Sequence, residues 1–165
     1  MRHMLTVRKY KTEWAAPAKL KELAEFRYQL RKFLSFSEMA SESLGISAQQ
    51  YQVLQIISTV PEGRPASISY LAERMMVRHN SAVELVDRAE RSGLVQRVTD
   101  ESDHRRSLVQ VTPRGIEVLS QLVAQHLTEL EKTGPEMARA IRRLSGTSGG
   151  NGKAAKAKPQ AEEKR

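Results

Sequence analysis

The chain has 165 residues, enough for one domain of ordinary size or for one domain with a tail. Its 27 lysines and arginines exceed its 19 acidic residues, and the formal net charge is +8 at pH 7. This balance favours an anionic partner, with nucleic acid as the first candidate. Because the chain contains no cysteine, disulfides, thiolate zinc sites, iron–sulfur clusters and cysteine nucleophiles are excluded.

The longest uninterrupted apolar runs are only a few residues long, whereas a bilayer span needs about 20 residues. The beginning of the chain, MRHMLTVRKYKTEW, lacks the apolar core of a secretory signal. The sequence therefore predicts a soluble, cytoplasmic protein without a membrane partner.

Helical periodicity dominates the chain from about residue 18 to residue 145. Apolar residues recur at three- and four-residue spacings from Leu20 onward, and Leu44-Gly45 supplies a helix stop. The residues from Ser47 to Gln50 have the pattern of a capping box, which predicts the start of a second helix.

Two shorter helices are predicted after a break at 61–65, and a tight turn at 76–79 separates them. The second of these helices covers 79–92. Its apolar stripe consists of Ala82, Leu85, Val86 and Ala89.

Two strand-like runs follow, at 94–98 and 108–111, and a polar connection joins them into a hairpin. Thr112-Pro113 then opens a long helix, with threonine as the N-cap and proline at the first helical position. Gly134-Pro135 is predicted to end that helix and to begin a last one.

Two short helices with a tight turn, followed directly by a charged hairpin, describe a winged helix-turn-helix. The predicted fold class is mainly α, with a two-stranded β wing and terminal helices that form a dimerisation domain. The predicted divisions are a basic arm (1–17), a dimerisation helix (18–45), the DNA-binding lobe (46–112), further dimerisation helices (113–145) and a disordered basic tail (146–165).

The helix over 79–92 is the candidate for reading DNA. Its outward face carries Asn80, Val83, Glu84, Asp87 and Arg91, and its first turn carries His79 and Ser81. Such a helix can enter the major groove, where the positive end of its dipole approaches phosphate and short polar side chains reach base edges. The alternative is an ordinary amphipathic helix in which Ser81 and Glu84 form a capping box.

The hairpin connection from Thr99 to Ser107 is too charged for a packed turn. Arg105 and Arg106 are suited to a narrow, A·T-rich minor groove, where the negative potential is strongest. Asp103 is better suited to fixing the two arginines than to approaching an anion. Together with the preceding helix, this connection favours double-stranded DNA as the partner.

The order of these motifs resembles the MarR family of bacterial transcriptional regulators over about residues 20–145. The residues that carry the resemblance are Leu71-Ala-Glu-Arg74, Val86-Asp-Arg88, Gly93-Leu-Val95, Asp100, Asp103-His-Arg105-Arg106 and Thr112-Pro-x-Gly115. The resemblance implies a homodimer, a palindromic operator and, in many members, a small effector that loosens DNA binding. It also implies that the DNA-binding residues are His79, Asn80, Ser81, Val83, Glu84, Arg91, Asp103, His104, Arg105 and Arg106. Met76 stands where the family often has glycine.

The terminal helices also predict a homodimer from their own residues. Their apolar stripes are longer than a small winged helix can cover, so a second copy of the chain is the simplest partner. The stripes include Leu20, Leu23, Leu119, Val123, Leu127, Leu130, Ile141 and Leu144.

Other function classes find less support. No cofactor is expected, and no metal is expected because the four histidines, at 3, 79, 104 and 126, lack ligand spacing. Since no glycine-rich phosphate loop or nucleophile elbow occurs either, the sequence argues against an enzyme. The stronger alternative is a winged helix that serves as a nucleoid-structuring or protein-interaction module without an effector.

An effector site is the least specific expectation. By analogy with such dimers, Tyr28, Arg31 and Tyr51 could bind a small aromatic molecule between the dimerisation helices and the DNA-binding lobe. The alternative is that the two tyrosines belong to the core.

Overall fold

A computed structural model of the protein describes residues 17–100 and 107–145. Over these residues the chain forms five helices and one two-stranded sheet. In chain order the elements are α1 (Pro17–Ser43), α2 (Ala48–Ser58), α3 (Ile68–Met75), α4 (His79–Arg91), β1 (Val95–Thr99), β2 (Ser107–Val111) and α5 (Pro113–Ser145). The predicted, mainly helical fold with one β-hairpin is confirmed.

Local sequence signals set the boundary between α1 and α2. Gly45 follows the end of α1 with φ +73°, the left-handed conformation that stops a helix. The backbone N–H of Gln50 donates to Ser47 Oγ at 3.2 Å, and the backbone N–H of Ser47 donates to Gln50 Oε1 at 2.8 Å. The predicted capping box is therefore present, and it satisfies two N–H groups that have no partner within the helix.

The start of α5 is fixed by contacts with the β-hairpin. The Thr112 hydroxyl donates to the carbonyl of Gly93 at 2.6 Å and accepts from the backbone N–H of Gly115 at 3.0 Å. Thr112 is thus the N-cap and Pro113 the first helical residue, as predicted. A Cβ on Gly115 would lie 2.1 Å from the carbonyl oxygen of Leu94, so only glycine permits this close approach.

The predicted helix break at Gly134-Pro135 is wrong, because α5 continues through Pro135 to Ser145. Proline removes one backbone hydrogen bond and costs about 3 kcal/mol inside a helix. That local cost is outweighed by packing, since α5 has buried residues on both sides of the proline, including Leu122, His126 and Ala140. α5 packs along α1, and His126 contacts Ser37 of that helix.

The two strands pair antiparallel in a register that runs from Val95 opposite Val111 to Thr99 opposite Ser107. The strands begin or end one residue away from the predicted bounds. Leu94 is not part of β1, because its N–H donates to the last turn of α4 and its side chain is fully buried.

The core of the helix-turn-helix lobe lies between α2, α3, α4 and the hairpin. The predicted inward stripe of α4 is confirmed, since all four of its members are buried. The most buried large side chains of this core are Val53, Leu54, Leu71, Val86, Leu94, Val95 and Val109, and Leu122 of α5 packs against them. This core holds α4 and the hairpin as one unit.

The long helices α1 and α5 pack antiparallel beside that lobe. Arg143 lies 3.5 Å from Glu22, and His126 Nε2 lies 2.9 Å from Ser37 Oγ, so the end of α5 meets the beginning of α1. Although they have 27 and 33 residues, neither these helices nor any other helix in the described ranges is apolar enough to cross a membrane.

Candidate nucleic-acid interface

α4 begins after a short, exposed turn that follows α3. Met76 ends α3 with φ +54°, and its side chain is 92% exposed. Arg78 is the N-cap of α4, and no side chain there hydrogen-bonds to the first turn. The N–H groups of that turn and the positive end of the helix dipole are therefore free to approach a phosphate.

The outward face of α4 presents most of the residues that the sequence singled out. His79, Asn80, Ser81 and Glu84 are exposed, and Val83 is half-buried. Arg91 is exposed at the far end of the helix. The face is thus polar, accessible and rigidly backed by the core, which suits contact with base edges.

The alternative that Ser81 and Glu84 form a capping box is wrong. The N-cap is Arg78, and Ser81 lies at the third position inside the helix. The Ser81 hydroxyl therefore has no capping role at the start of α4.

The predicted wing contacts Asp103, His104, Arg105 and Arg106 lie outside the described residues. The strands on either side of them are described, and β1 contacts α4 through Arg97. The roles of these four residues stay predictions.

Arg97 on β1 contacts two carboxylates of α4. Its Nη2 lies 2.6 Å from Asp87 Oδ1, and its Nη1 lies 2.5 Å from Glu90 Oε2. Its backbone N–H also donates to Glu90 Oε1 at 2.9 Å. Burial opposes the charge on Arg97, but hydrogen bonds and charge attraction from Asp87 and Glu90 outweigh burial and raise the pKa of the guanidinium.

Sequence reasoning missed Arg97. Its partners lie ten and seven positions earlier, on a different element, so no helical or strand spacing connects the three residues. The sequence offered only an indirect signal. Asp87 lies on the outward side of a helix expected to face DNA, and its negative charge there requires a neighbouring positive charge.

The other end of α4 is attached to α2. Gln50 Nε2 donates to the carbonyl of Arg88 at 3.3 Å, and Arg88 Nη2 donates to Gln49 Oε1 at 3.4 Å. These bonds satisfy part of the helix terminus and fix its distance from α2. α4 is therefore held from three directions, by its core stripe, by β1 and by α2.

Comparison with known proteins identifies the family to which this fold belongs. Residues 44–106 match the family model described as MarR family. The chain is 36% identical over 126 residues to the Transcriptional activatory protein BadR of Rhodopseudomonas palustris, and the match covers 72% of this chain and 71% of that protein. The chain belongs to the MarR family.

Two further proteins are similar to this MarR family chain. The putative transcriptional regulatory protein for the hcr operon of Thauera aromatica is 32% identical over 96 residues, which are 58% of this chain and 56% of that protein. The fold is similar to that of a mutant of S. aureus MepR bound to an oligodeoxyribonucleotide, with a TM-score of 0.55 and 20% identity over 73% of this chain and 94% of that one.

As a MarR family member, the protein is a transcriptional regulator with a DNA-binding winged-helix fold, and it is not an enzyme. Within residues 17–100 and 107–145, no three histidine, aspartate or glutamate side chains are grouped in a way that could hold a metal ion.

The three residues suggested for an effector have different environments. Tyr28 is half-exposed and Arg31 is exposed, both on α1. Tyr51 on α2 is buried, and burial raises the pKa of its phenol. An open groove between α1 and α5 has other lining residues, namely Phe36, Ala124, Gln125, Thr128, Glu129 and Lys132.

His126 is a second residue whose position the sequence did not reveal. It is 6% exposed, and its Nδ1 lies 2.7 Å from the carbonyl of Leu122. Its ring lies 4.6 Å from the ring of Tyr51 and within 5.8 Å of the rings of Phe33 and Phe36. Through this cluster, α5 contacts both α1 and α2, so it joins the long helices to the DNA-binding lobe.

Proposed function

We propose that this MarR regulator binds a palindromic operator as a homodimer, with α4 in the major groove and the connection between β1 and β2 in the adjacent minor groove. The observation that carries the proposal is the exposed, uncapped beginning of α4, which presents His79, Asn80 and Ser81 on a rigid support. An accessible helix N-terminus and short polar side chains are the groups that contact phosphates and base edges.

A long apolar surface supports the homodimer. On α5, Ile116, Val123, Leu127 and Ile141 are exposed along one side of the helix. On α1, which packs against α5, the exposed leucines are Leu20, Leu23, Leu30 and Leu34. So many exposed apolar side chains on two neighbouring helices are unfavourable in water, and a second copy of the chain would cover them by two-fold symmetry.

Two-fold symmetry of the dimer also predicts a palindromic operator. A dimer with two copies of α4 about 34–36 Å apart would contact successive major grooves on one face of DNA. The two half-sites would then be related by the same two-fold axis, which makes the operator palindromic.

The direction of regulation depends on where the operator lies. We infer repression when the dimer covers the promoter, since it would then exclude the polymerase. The R. palustris relative bears the name of an activatory protein, which makes activation from an upstream site the second candidate. A reporter gene with the selected operator placed either over or upstream of the promoter would distinguish the two modes.

A small aromatic effector completes the proposal. Tyr28 and Arg31 lie on the exposed side of α1, where a phenol ring and a guanidinium could meet an amphipathic aromatic molecule. Tyr51 belongs to the core cluster around His126, so it would respond to such a ligand through packing. Release of a bound operator by aromatic acids or phenols in a titration would support this effector class, whereas uniform resistance would contradict it.

Selection of bound duplexes from a random pool is the experiment that tests the operator. We expect an enriched motif with two-fold symmetry, bound about 10³-fold or more tightly than random duplex at one salt concentration. Equal affinity for both duplexes would instead indicate a nucleoid-structuring module, and no affinity for either would indicate a protein-interaction module. Arg105→Ala is expected to weaken binding to the selected site by about 1–3 kcal/mol without altering thermal stability.

A further inference from the structure

The helix proposed to read DNA is itself not basic. α4 carries three carboxylates, on Glu84, Asp87 and Glu90, and two arginines, Arg88 and Arg91. A carboxylate close to DNA repels phosphate, so a reading helix with this composition requires a neighbouring cation.

We infer that Arg97 is this cation, and that it acts as a positioning residue that masks Asp87 and Glu90 from DNA. The inference rests on the proposed function, because it matters only if α4 meets DNA. Arg97 belongs to β1, so its charge comes from the strand that leads into the wing.

The geometry indicates masking and not a phosphate contact. One guanidinium nitrogen of Arg97 binds Asp87 at 2.6 Å and another binds Glu90 at 2.5 Å. Both bonds are charge-assisted, and the side chain is only 28% exposed. The donors of Arg97 are therefore directed at the two carboxylates.

The position of Asp87 shows why masking affects recognition. Asp87 lies seven residues after Asn80 and three after Glu84, so the three residues share the outward side of α4. An uncompensated charge at Asp87 would lie on the side of the helix that is proposed to enter the groove. Because Arg97 lies against Asp87, its positive charge neutralises that carboxylate where it would otherwise repel phosphate.

The test compares Arg97→Met with the triple variant Arg97→Met/Asp87→Asn/Glu90→Gln, each as the full chain on the selected operator. We expect the single variant to bind about 10- to 100-fold more weakly. The triple variant should recover to within about threefold of the wild type, because the carboxylates that needed masking are gone. Arg139→Met is the matched control, since Arg139 forms an exposed ion pair with Glu136 on α5. This control variant should bind the operator with wild-type affinity.

The salt dependence of binding separates masking from direct contact. If Arg97 contacted phosphate, the triple variant would remain weak and its log–log salt slope would fall by about one. That result, or wild-type affinity in Arg97→Met, would overturn the inference. Masking predicts a triple variant whose slope matches that of the wild type.

A further variant keeps the test decisive if Arg97→Met folds poorly. Asp87→Asn/Glu90→Gln retains the arginine and removes only its partners, and we expect it to bind DNA at least as tightly as the wild type. Weaker binding by this double variant, with unchanged thermal stability, would show that the two acids are needed themselves and would overturn masking. Failure of the proposed function is distinguishable, because the wild type would then not prefer the selected operator over random duplex.

Discussion

Gln50 Nε2 donates a hydrogen bond to Ser92 Oγ at 2.9 Å, and this contact joins the beginning of α2 to the C-cap of α4. The same side chain uses its oxygen in the capping box of α2. One buried glutamine thereby satisfies the terminus of one helix and positions the end of another. It shows how the helix proposed to face DNA is held in place by a residue that is itself buried.

Gln50→Ala should lower the free energy of unfolding by about 1–2 kcal/mol, because it removes a cap and takes a hydrogen-bond partner from the half-buried Ser92 hydroxyl. Urea unfolding at one fixed protein concentration measures the effect. Gln52→Ala is the matched control, since Gln52 is exposed on the same helix. Equal effects of the two substitutions would contradict the role assigned to Gln50.

Gly115→Ala should destabilise the protein by about 2 kcal/mol or more, because its Cβ would overlap the Leu94 carbonyl oxygen and approach a methyl group of Val111 to 2.7 Å. Gly134→Ala on the same helix should instead stabilise the protein by up to about 1 kcal/mol, since a Cβ there meets nothing within 4 Å. Thermal unfolding of both variants measures the difference. If both substitutions raised, or both lowered, the free energy of unfolding, this account of α5 would be wrong.

Met76→Gly should stabilise the protein by about 0.5–1 kcal/mol, because a residue with φ +54° is strained when it carries a Cβ. Met39→Gly should have the opposite effect, of similar size, since Met39 is an exposed residue inside α1. Chemical denaturation reports both. A destabilised Met76→Gly would show that the exposed methionine makes a stabilising contact elsewhere.

Ser81→Ala should reduce operator affinity by about 1 kcal/mol and leave the free energy of unfolding within about 0.5 kcal/mol of the wild-type value. The reason is that Ser81 lies on the outward face of α4 and does not cap it. Fluorescence anisotropy with labelled operator and thermal unfolding give the two quantities. Loss of stability with intact affinity would restore a structural role for the serine.

Leu127→Asp should reduce the dimer fraction and the operator affinity together, because Leu127 is 58% exposed within the chain and would be buried between two copies. Analytical ultracentrifugation and operator titration measure both. Gln121→Asp adds the same charge at an exposed position on α5, away from the apolar side, and should change neither. A monomeric wild type that still binds a palindrome tightly would exclude the dimer.

Local sequence determined several features of the fold. The capping box at Ser47, the Thr112-Pro113 helix start and the buried stripe of α4 depend on neighbouring residues or on helical spacing, and each is present as predicted. Short-range hydrogen bonds and periodic burial suffice to fix such features. The order of motifs also sufficed to indicate the family.

Tertiary structure decided the remaining features. α5 passes through Pro135 because buried contacts on both sides with α1 exceed the local cost of proline. Arg97 reaches Asp87 and Glu90 only because β1 folds back against α4, and His126 is enclosed by rings from two other helices. These contacts join residues on different elements, and their energies depend on packing that no local pattern encodes.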